Sequence, residues 1–476
     1  MTNALGFLKK LHFVGIGGIG MSGIAEILHN MDFEVTGSDV AVNSNIERLR
    51  GMGIKVYEGH SAENVTDADV LIYSSAVSSD NPELVRAKES YIPVIPRGEM
   101  LAELMRMKYA VAVSGSHGKT TTTSIISEIL KGAGYDPTTI IGGRLNSDNN
   151  NASLGKHNIM VAESDESDRS FLLLYPSVAV ITNIDKEHME SYADIDDVKD
   201  CFVKFANKVP FYGLNVVCLD DSEVSDIIPR LEKRILTYGL SAQADTKALN
   251  VEKNGFSVSF DVEHKGIAMG RVKINLPGDH IILNSLAAIA VALEMRVPFT
   301  TVADILERFE GVQRRMSVRY KSDTTMVIDD YGHHPTEIAA TLKALHDATP
   351  GHKICAIFQP HRYTRTKSLM SEFTKCFFYA DHLFVTDIYA ASEQPIEGIK
   401  TEVLVREINK HGFKDAVHIK DMKEIYPVLE GIGFEQSIII TLGAGNITNF
   451  SHEIASYIRG KDEKQIGVHI IRGASK

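Results

Sequence analysis

Tyr109-Ala-Val-Ala-Val113 is an unbroken apolar run that stops at Ser114-Gly115-Ser116-His117-Gly118-Lys119-Thr120, where a helical pattern takes over as far as Gly132. A run without polar alternation suits a strand covered on both faces, which is the condition of a parallel sheet. Parallel strands need crossover connections, so a glycine turn between such a strand and a helix leaves few architectures open. The same order recurs at the start, where strand Leu11–Val14, a glycine loop, helix Met21–Met31 and strand Phe33–Thr36 follow one another. Further strands are expected at Val70–Tyr73, Val94–Ile95, Ile159–Ala162 and Val178–Thr182, then at Met326–Asp329, Lys353–Phe358, His382–Thr386 and Ser437–Thr441. The alternation predicts an α/β fold built on parallel sheets. One stretch differs: Phe256–Val262 and Ile267–Ile274 alternate in polarity and read as antiparallel hairpin strands with one wet face, before a helix at Asn284–Met295. At 476 residues the chain is long enough for three domains. The pattern breaks near Lys108 and again near Ser317, which gives domains of residues 1–108, 109–316 and 317–476.

The loop after Val113 carries the clearest chemistry. Glycines let backbone N–H groups converge on phosphate oxygens, and the helix N-terminus adds partial positive charge. Lys119 reaches the outer phosphates and the Thr120 hydroxyl can ligate Mg²⁺. The familiar GxxxxGK[ST] pattern is incomplete, because Val113 stands at the first glycine position. Two neighbouring strand ends point the same way. Ile159–Ala162 runs into Glu163 and the acidic stretch Ser164-Asp165-Glu166-Ser167-Asp168, where a carboxylate can hold Mg²⁺ against a γ-phosphate. Val178–Thr182 runs into Asn183-Ile184-Asp185-Lys186-Glu187-His188, and His188 is placed to bind a second metal or substrate.

Gly15-Ile-Gly17-Gly18-Ile-Gly20 is a second anion loop, and Asp39 lies where an acid can bind ribose hydroxyls. Alone it reads as the loop of an NAD-dependent dehydrogenase. Its physics is only that of a diphosphate on a helix N-terminus, and UDP carries the same group. A third cluster combines Asp329-Asp330-Tyr331-Gly332-His333-His334-Pro335 with Gln359-Pro360-His361-Arg362-Tyr363-Thr364-Arg365-Thr366. A histidine beside two arginines at a strand end makes a fork for phosphate or carboxylate. Leu442-Gly-Ala-Gly-Asn446 is a further glycine turn that fits a structural role equally well.

A formal net charge of −12 argues against nucleic acid as a partner. Cys201, Cys218, Cys355 and Cys376 are scattered without CxxC spacing, as expected of buried thiols in a reducing compartment. No stretch approaches the ~18–20 apolar residues of a membrane span. The start runs directly into a strand and glycine loop, so no signal peptide is expected and the location expected is cytoplasmic.

Six segments in order, Gly15–Ala25 (GIGGIGMSGIA), Ser114–Thr122 (SGSHGKTTT), Ala162–Asp168 (AESDESD), Thr182–His188 (TNIDKEH), Asp329–Glu337 (DDYGHHPTE) and Gln359–Thr366 (QPHRYTRT), resemble the Mur ligases. The likeness covers nearly the whole chain and is strongest to the members that act on UDP-N-acetylmuramate and L-alanine. It implies a Rossmann-like UDP-binding domain, a P-loop ATPase-like central domain and a Rossmann-like C-terminal domain. The implied reaction is ATP-dependent amide formation through an acyl phosphate, with Mg²⁺, in peptidoglycan precursor synthesis.

The resemblance also assigns residues. Gly15, Gly17, Gly18, Gly20, Asp39, Ser74 and Ser75 would bind the UDP-sugar. Gly115, Ser116, His117, Gly118, Lys119, Thr120 and Thr121 would hold ATP phosphates, with Asn284 at the adenine, Asp330 at the ribose and Arg315 near the nucleotide. Thr120 and Glu163 would bind one Mg²⁺ and His188 the second, while His333, His361, Arg362 and Arg365 would meet substrate carboxylates and phosphate. Two segments depart from the family pattern: its usual His-Asn is His280-Ile281 here, and its usual Ala-Gly-Glu is Ala391-Ser392-Glu393. Sibling ligases carry a carbamylated lysine at the second metal, and no lysine after His188 takes that role by sequence. A homodimer is left open.

Overall fold

The computed structural model describes residues 5–65, 67–143, 151–391, 393–413, 415–433 and 436–473, with side chains beyond residue 461 left aside. Ser392 and the first four residues of the chain lie outside the described residues. Among the described residues three sheets organise the chain. The first has five parallel strands in the order Lys55–Glu58, Glu34–Asp39, Lys10–Val14, Val70–Tyr73, Val94–Pro96. Lys10–Val14 has its sequence neighbour on one side and Val70–Tyr73 on the other, so Gly15 emerges at a topological switch point.

The ten-stranded second sheet centres on Tyr109–Ser114, paired in parallel with Ile159–Glu163 on one side and Val178–Ile181 on the other. That pairing brings segments 40 to 70 residues apart in the chain to one sheet edge. Strands Thr246–Asn254, Ser257–His264 and Ile267–Ile274 close the far side. Only Lys265 and Gly266 separate the last two, with φ of 51° and 79°, the left-handed pair that a tight antiparallel hairpin demands. Ser257–His264 alternates between buried and half-buried positions, as expected of a strand with one wet face.

The third sheet has the order Ser317–Lys321, Thr325–Asp330, Ser437–Leu442, Lys353–Phe358, His382–Thr386, Val417–Ile419. All pairs are parallel except the edge pair of Ser317–Lys321 with Thr325–Asp330. Leu442 lies in register with both Asp330 and Phe358, so the loops after these three strands start side by side.

The expected strand runs fell within a residue or two of their bounds, except that the second runs to Asp39 where Thr36 was expected, and one helix differs more. It spans Asp279–Glu294, starting five residues before Asn284. An asparagine at a polar-to-apolar transition reads as an N-cap; here Asp279 occupies the first turn and Asn284 lies inside the helix. The chain packs into two compact units, one of residues Met1–Val251, Ser259–Ile274 and Ile282–Glu310, the other of Glu252–Val258, Asn275–Ile281 and Gly311–Lys476. In the first unit one apolar cluster runs from Leu11 and Phe13 through Met100–Met105 to Phe171, Phe202 and Phe205. All four cysteines are buried.

Candidate active site

Between Ser114 and helix Lys119–Gly132 the backbone turns through Gly115 at φ 130° and Gly118 at φ 80°, conformations that side chains resist. A Cβ on Gly115 would stand 2.1 Å from Thr182 Oγ1, and one on Gly118 would stand 2.6 Å from Asn284 Oδ1. The loop after strand Val178–Ile181 grips this turn. Thr182 Oγ1 and Asn183 Nδ2 donate to the His117 carbonyl at 2.6 and 3.0 Å, and Asn183 Oδ1 accepts from His117 N at 2.8 Å. His117 Nε2 meets Asp185 Oδ2 at 3.0 Å. Asn284 accepts from Thr122 Oγ1 at 3.2 Å, and Thr121 is buried in the same helical turn.

Lys119 curls back over the loop. Its Nζ donates to the carbonyls of Gly115 and Ser116 at 2.6 and 3.0 Å, and to Glu166 Oε1 at 2.7 Å. Burial would lower its pKa, but Glu166, Glu163 and Glu187 outweigh burial and raise it, so the ammonium stays charged. Burial pushes Glu166 up to about 7 against the pull of Lys119. Thr120 Oγ1 donates to Glu163 Oε2 at 2.9 Å, and Gly142 N donates to the same oxygen at 2.8 Å. His188, at φ 55°, offers one ligand atom that lies within 4.8 Å of ligand atoms of Glu166 and Glu187. In the sequence Glu166 is marked only as part of an acidic stretch. Its burial beside Lys119 depends on the strand order, which local spacing does not report.

In the first sheet Gly15, at φ 79°, turns the chain into helix Ile19–Asn30 with Gly18 as its N-cap. Asp39 Oδ2 accepts from Gly17 N at 2.8 Å, so the acid expected at a ribose also braces the loop. Asn43 and Asn45 donate to the Gly17 carbonyl at 3.1 and 2.9 Å. A Cβ on Gly15 would lie 3.2 Å from Ser74 Cβ, which puts Ser74 beside the turn, and Ser75 is exposed next to it. Sequence reasoning missed Arg97. It follows strand Val94–Pro96, its guanidinium lies 3.2 Å from where a Gly20 Cβ would be, and its Nη2 donates to Asp165 Oδ2 at 3.0 Å. The available signal was its position at a strand end, the rule already applied to Glu163.

The third sheet gathers the histidine and arginine cluster. Asp330 accepts from Met316 N and Gly332 N, both at 2.8 Å, and burial raises its pKa. Arg315 meets Glu337 at 3.4 Å and lies over the Tyr331 ring, 5.0 Å from its centroid. His333 Nδ1 lies 3.1 Å from the Tyr331 carbonyl and 3.5 Å from Glu337. The His361 ring stacks on Tyr389 at 5.6 Å, stands 5.9 Å from His333, and its Nδ1 is 3.2 Å from Arg365 Nη1. Burial, then the positive surroundings of His333, Arg365, Arg362 and Arg314, drive His361 down to about 3. It is a neutral imidazole among cations. Arg362 adopts φ 71° at the start of helix Tyr363–Ser368, where Glu393 accepts from Thr364 N at 3.0 Å. The turn at Leu442–Asn446 has a structural partner, because Arg314 Nη2 donates to the Gly443 and Gly445 carbonyls at 2.7 and 3.1 Å.

The catalytic-domain model of the Mur ligase family matches residues 10–109, the Mur ligase middle domain matches 113–292, and the Mur ligase glutamate ligase domain matches 314–445. The chain belongs to the Mur ligase family. This Mur ligase is 53% identical over 443 residues to the UDP-N-acetylmuramate–L-alanine ligase of Trichlorobacter lovleyi, covering 93% of this chain and 97% of that protein. It is 53% identical over 455 residues to that of Geotalea uraniireducens, covering 96% and 99%. The crystal structure of UDP-N-acetylmuramate-alanine ligase from Thermotoga maritima matches with a TM-score of 0.79 at 30% identity, covering 95% of this chain and 99% of that one. A murein peptide ligase from Psychrobacter arcticus shares the fold at 21% identity, with a TM-score of 0.68 over 94% and 98%. The three-domain α/β architecture is thus that of a Mur ligase.

The donor set of this Mur ligase fits a divalent cation on its own chemistry. A threonine hydroxyl and a carboxylate already within 2.9 Å of each other are hard oxygen ligands beside a phosphate loop. No helix among the described residues is long and apolar enough to cross a membrane.

Proposed function

We propose that this Mur ligase forms an amide bond between the carboxylate of UDP-N-acetylmuramate and the amine of L-alanine, using ATP, in the cytoplasm. The observation that carries the reading is the meeting of Lys119, Thr120 and Glu163 at one sheet edge, around a turn that only glycines can make. Residues 1–108 would be the UDP-sugar domain, 109–316 the ATP domain and 317–476 the C-terminal Rossmann-like ligase domain. The names of relatives covered almost end to end support the choice of substrates.

In the first step a carboxylate oxygen of the sugar attacks the γ-phosphorus of ATP and ADP leaves. In the second the alanine amine attacks the acyl carbon, phosphate leaves and the amine gives up a proton. Lys119 and the N–H groups of Gly115–Thr121 would hold the phosphates and offset the charge that spreads over the transferring group. Mg²⁺, held by Thr120 and Glu163 and a second time at His188, would supply further positive charge there. Gly15, Gly17, Gly18 and Gly20 with Asp39, Ser74 and Ser75 would hold the UDP-sugar. Asn284, Asp330 and Arg315 would hold the nucleoside of ATP. His333, His361, Arg362 and Arg365 would receive the substrate carboxylates and phosphate, and His361 does so as a neutral hydrogen-bonding group.

The test is phosphate release with UDP-N-acetylmuramate across L-alanine, glycine and L-serine. Release is expected only when ATP, the sugar and an amino acid are all present, and fastest with L-alanine. Equal release without the sugar would sink the reading, and oxidation of NADH would restore the dehydrogenase. Lys119→Ala is expected to abolish turnover and leave UDP-sugar binding within about twofold; loss of both would move the loop to the sugar.

A further inference from the structure

Glu166 is a buried carboxylate, 4% exposed, with its two oxygens in different situations. Oε1 takes the Lys119 ammonium at 2.7 Å, while Oε2 is buried without a hydrogen-bond partner among the described residues. A buried carboxylate oxygen left in that condition costs stability unless something else meets it. Glu187 and His188 are at hand, for ligand atoms of all three residues lie within 4.8 Å of one another. A triangle of that size puts its centre within about 2.8 Å of each corner. Ligation at ~2.1–2.4 Å then asks each side chain for a shift of about half an ångström. The Glu166 backbone is itself pinned, because its carbonyl accepts from the buried Tyr192 hydroxyl at 2.5 Å.

We propose that Glu166, Glu187 and His188 form a divalent-cation site whose Glu166 carboxylate is shared with the phosphate-loop lysine. Two acids and an imidazole suit Mn²⁺ or Mg²⁺, with the nitrogen favouring the former. The sharing couples two events. A cation on Oε2 draws charge away from Oε1 and loosens Lys119 from Glu166, which frees the ammonium for phosphate. Nucleotide phosphate on Lys119 leaves Glu166 to the cation. Each ligand therefore tightens the other by the same factor, as linkage requires. The proposal rests on the reading that Ser114–Thr121 binds ATP and that His188 holds a metal; it adds Glu166 and Glu187 as ligands and makes Glu166 the coupling group.

The experiment counts Mn²⁺ by electron paramagnetic resonance on the full-length protein, with and without a non-hydrolysable ATP analogue. Thermal melting and UDP-sugar binding check that each variant is folded. Wild type with the analogue is expected to bind two Mn²⁺, with the analogue bound at least tenfold more tightly when Mn²⁺ is present. Glu166→Gln, Glu187→Gln and His188→Ala should each weaken one Mn²⁺ by tenfold or more and leave the other, and Glu166→Gln should also reduce the mutual tightening. Glu166→Asp, which keeps the charge on a shorter arm, should fall between. Two Mn²⁺ bound with unchanged affinity by Glu166→Gln, while His188→Ala loses one, would overturn the Glu166 assignment and spare the role of His188. Unchanged binding in both would overturn the second metal altogether.

Discussion

Gly115 shows how much one residue can carry. Its φ of 130° is a region that L side chains avoid, and the Thr182 hydroxyl and the Asn183 backbone occupy the space a Cβ would need, at 2.1 and 3.0 Å. Gly115→Ala is therefore expected to cost about 2–4 kcal/mol and to lower ATP affinity, since the turn must open to admit the methyl group. Gly134→Ala is the control: φ is 84° but nothing lies within 4 Å, so about 1 kcal/mol is expected and ATP binding should be unchanged. Urea midpoints and nucleotide titrations of the two variants make the comparison, and similar losses in both would show that the turn is not tight. Val113, one position before Ser114 and buried in its strand, is the residue that replaces the usual first glycine. The loop makes its turns at Gly115 and Gly118, so that position can stay in the strand. Sequence alone marked Lys119 and Thr120 through their spacing. It could not mark the roles of Glu166 and Asn183, whose partners come from other strands, while Arg97 had only its place at a strand end to signal it.

At the scale of elements the same limit recurs. Apolar runs gave strand bounds well, because a strand between two covered faces has no room for polar residues. The order of those strands is a property of the sheet, and with it go the contacts at the strand ends. The first domain holds a network of this kind that no motif announced. Glu83, fully buried at the start of helix Pro82–Glu89, accepts from Ser38 Oγ at 2.5 Å, Asn64 Nδ2 at 2.6 Å, Ser61 N at 3.2 Å and His12 Nε2 at 3.3 Å. It ties that helix to strands Lys10–Val14 and Glu34–Asp39, one residue from Asp39. Burial works to raise its pKa, but His12, Ser38 and Asn64 outweigh it and the pKa is lowered. A carboxylate depressed on folding contributes stability above its unfolded pKa and loses that contribution as pH falls through the folded one. Glu83→Ala is expected to cost about 3–5 kcal/mol at pH 7 by stranding the four donors. The gap to wild type should narrow as pH falls below the ordinary glutamate range. Denaturant melts at pH 7 and pH 3.5 measure both, and a gap that stays constant would mean the charge of Glu83 contributes nothing.

On the scale of the whole molecule, the apolar cluster of the first unit crosses from the first sheet to the second without a break, while the third sheet has its own clusters on its two faces. Shared packing makes unfolding cooperative, and separate packing allows separate transitions. Calorimetry is therefore expected to resolve two endotherms, assigned by hydrogen exchange in strands Tyr109–Ser114 and Lys353–Phe358. The second unit should also be the acid-sensitive one. Burial, with Arg315 adding to it against Asp279 and Glu337, drives His280 down to about 4, and His361 lies at about 3. Between those values and the ordinary histidine value of about 6.5, the unfolded chain binds protons that the folded unit refuses. Stability of that unit must then rise with pH across the window and fall as pH drops from 6.5 toward 4, with a slope of up to about 1.4 kcal/mol per pH unit for each histidine. The His280→Gln, His361→Gln double variant should flatten that slope in the second-unit endotherm and leave the first unit's pH dependence as it was. A slope unchanged by the double variant would place the acid sensitivity elsewhere, and an equal change in both endotherms would show that the two units do not unfold separately.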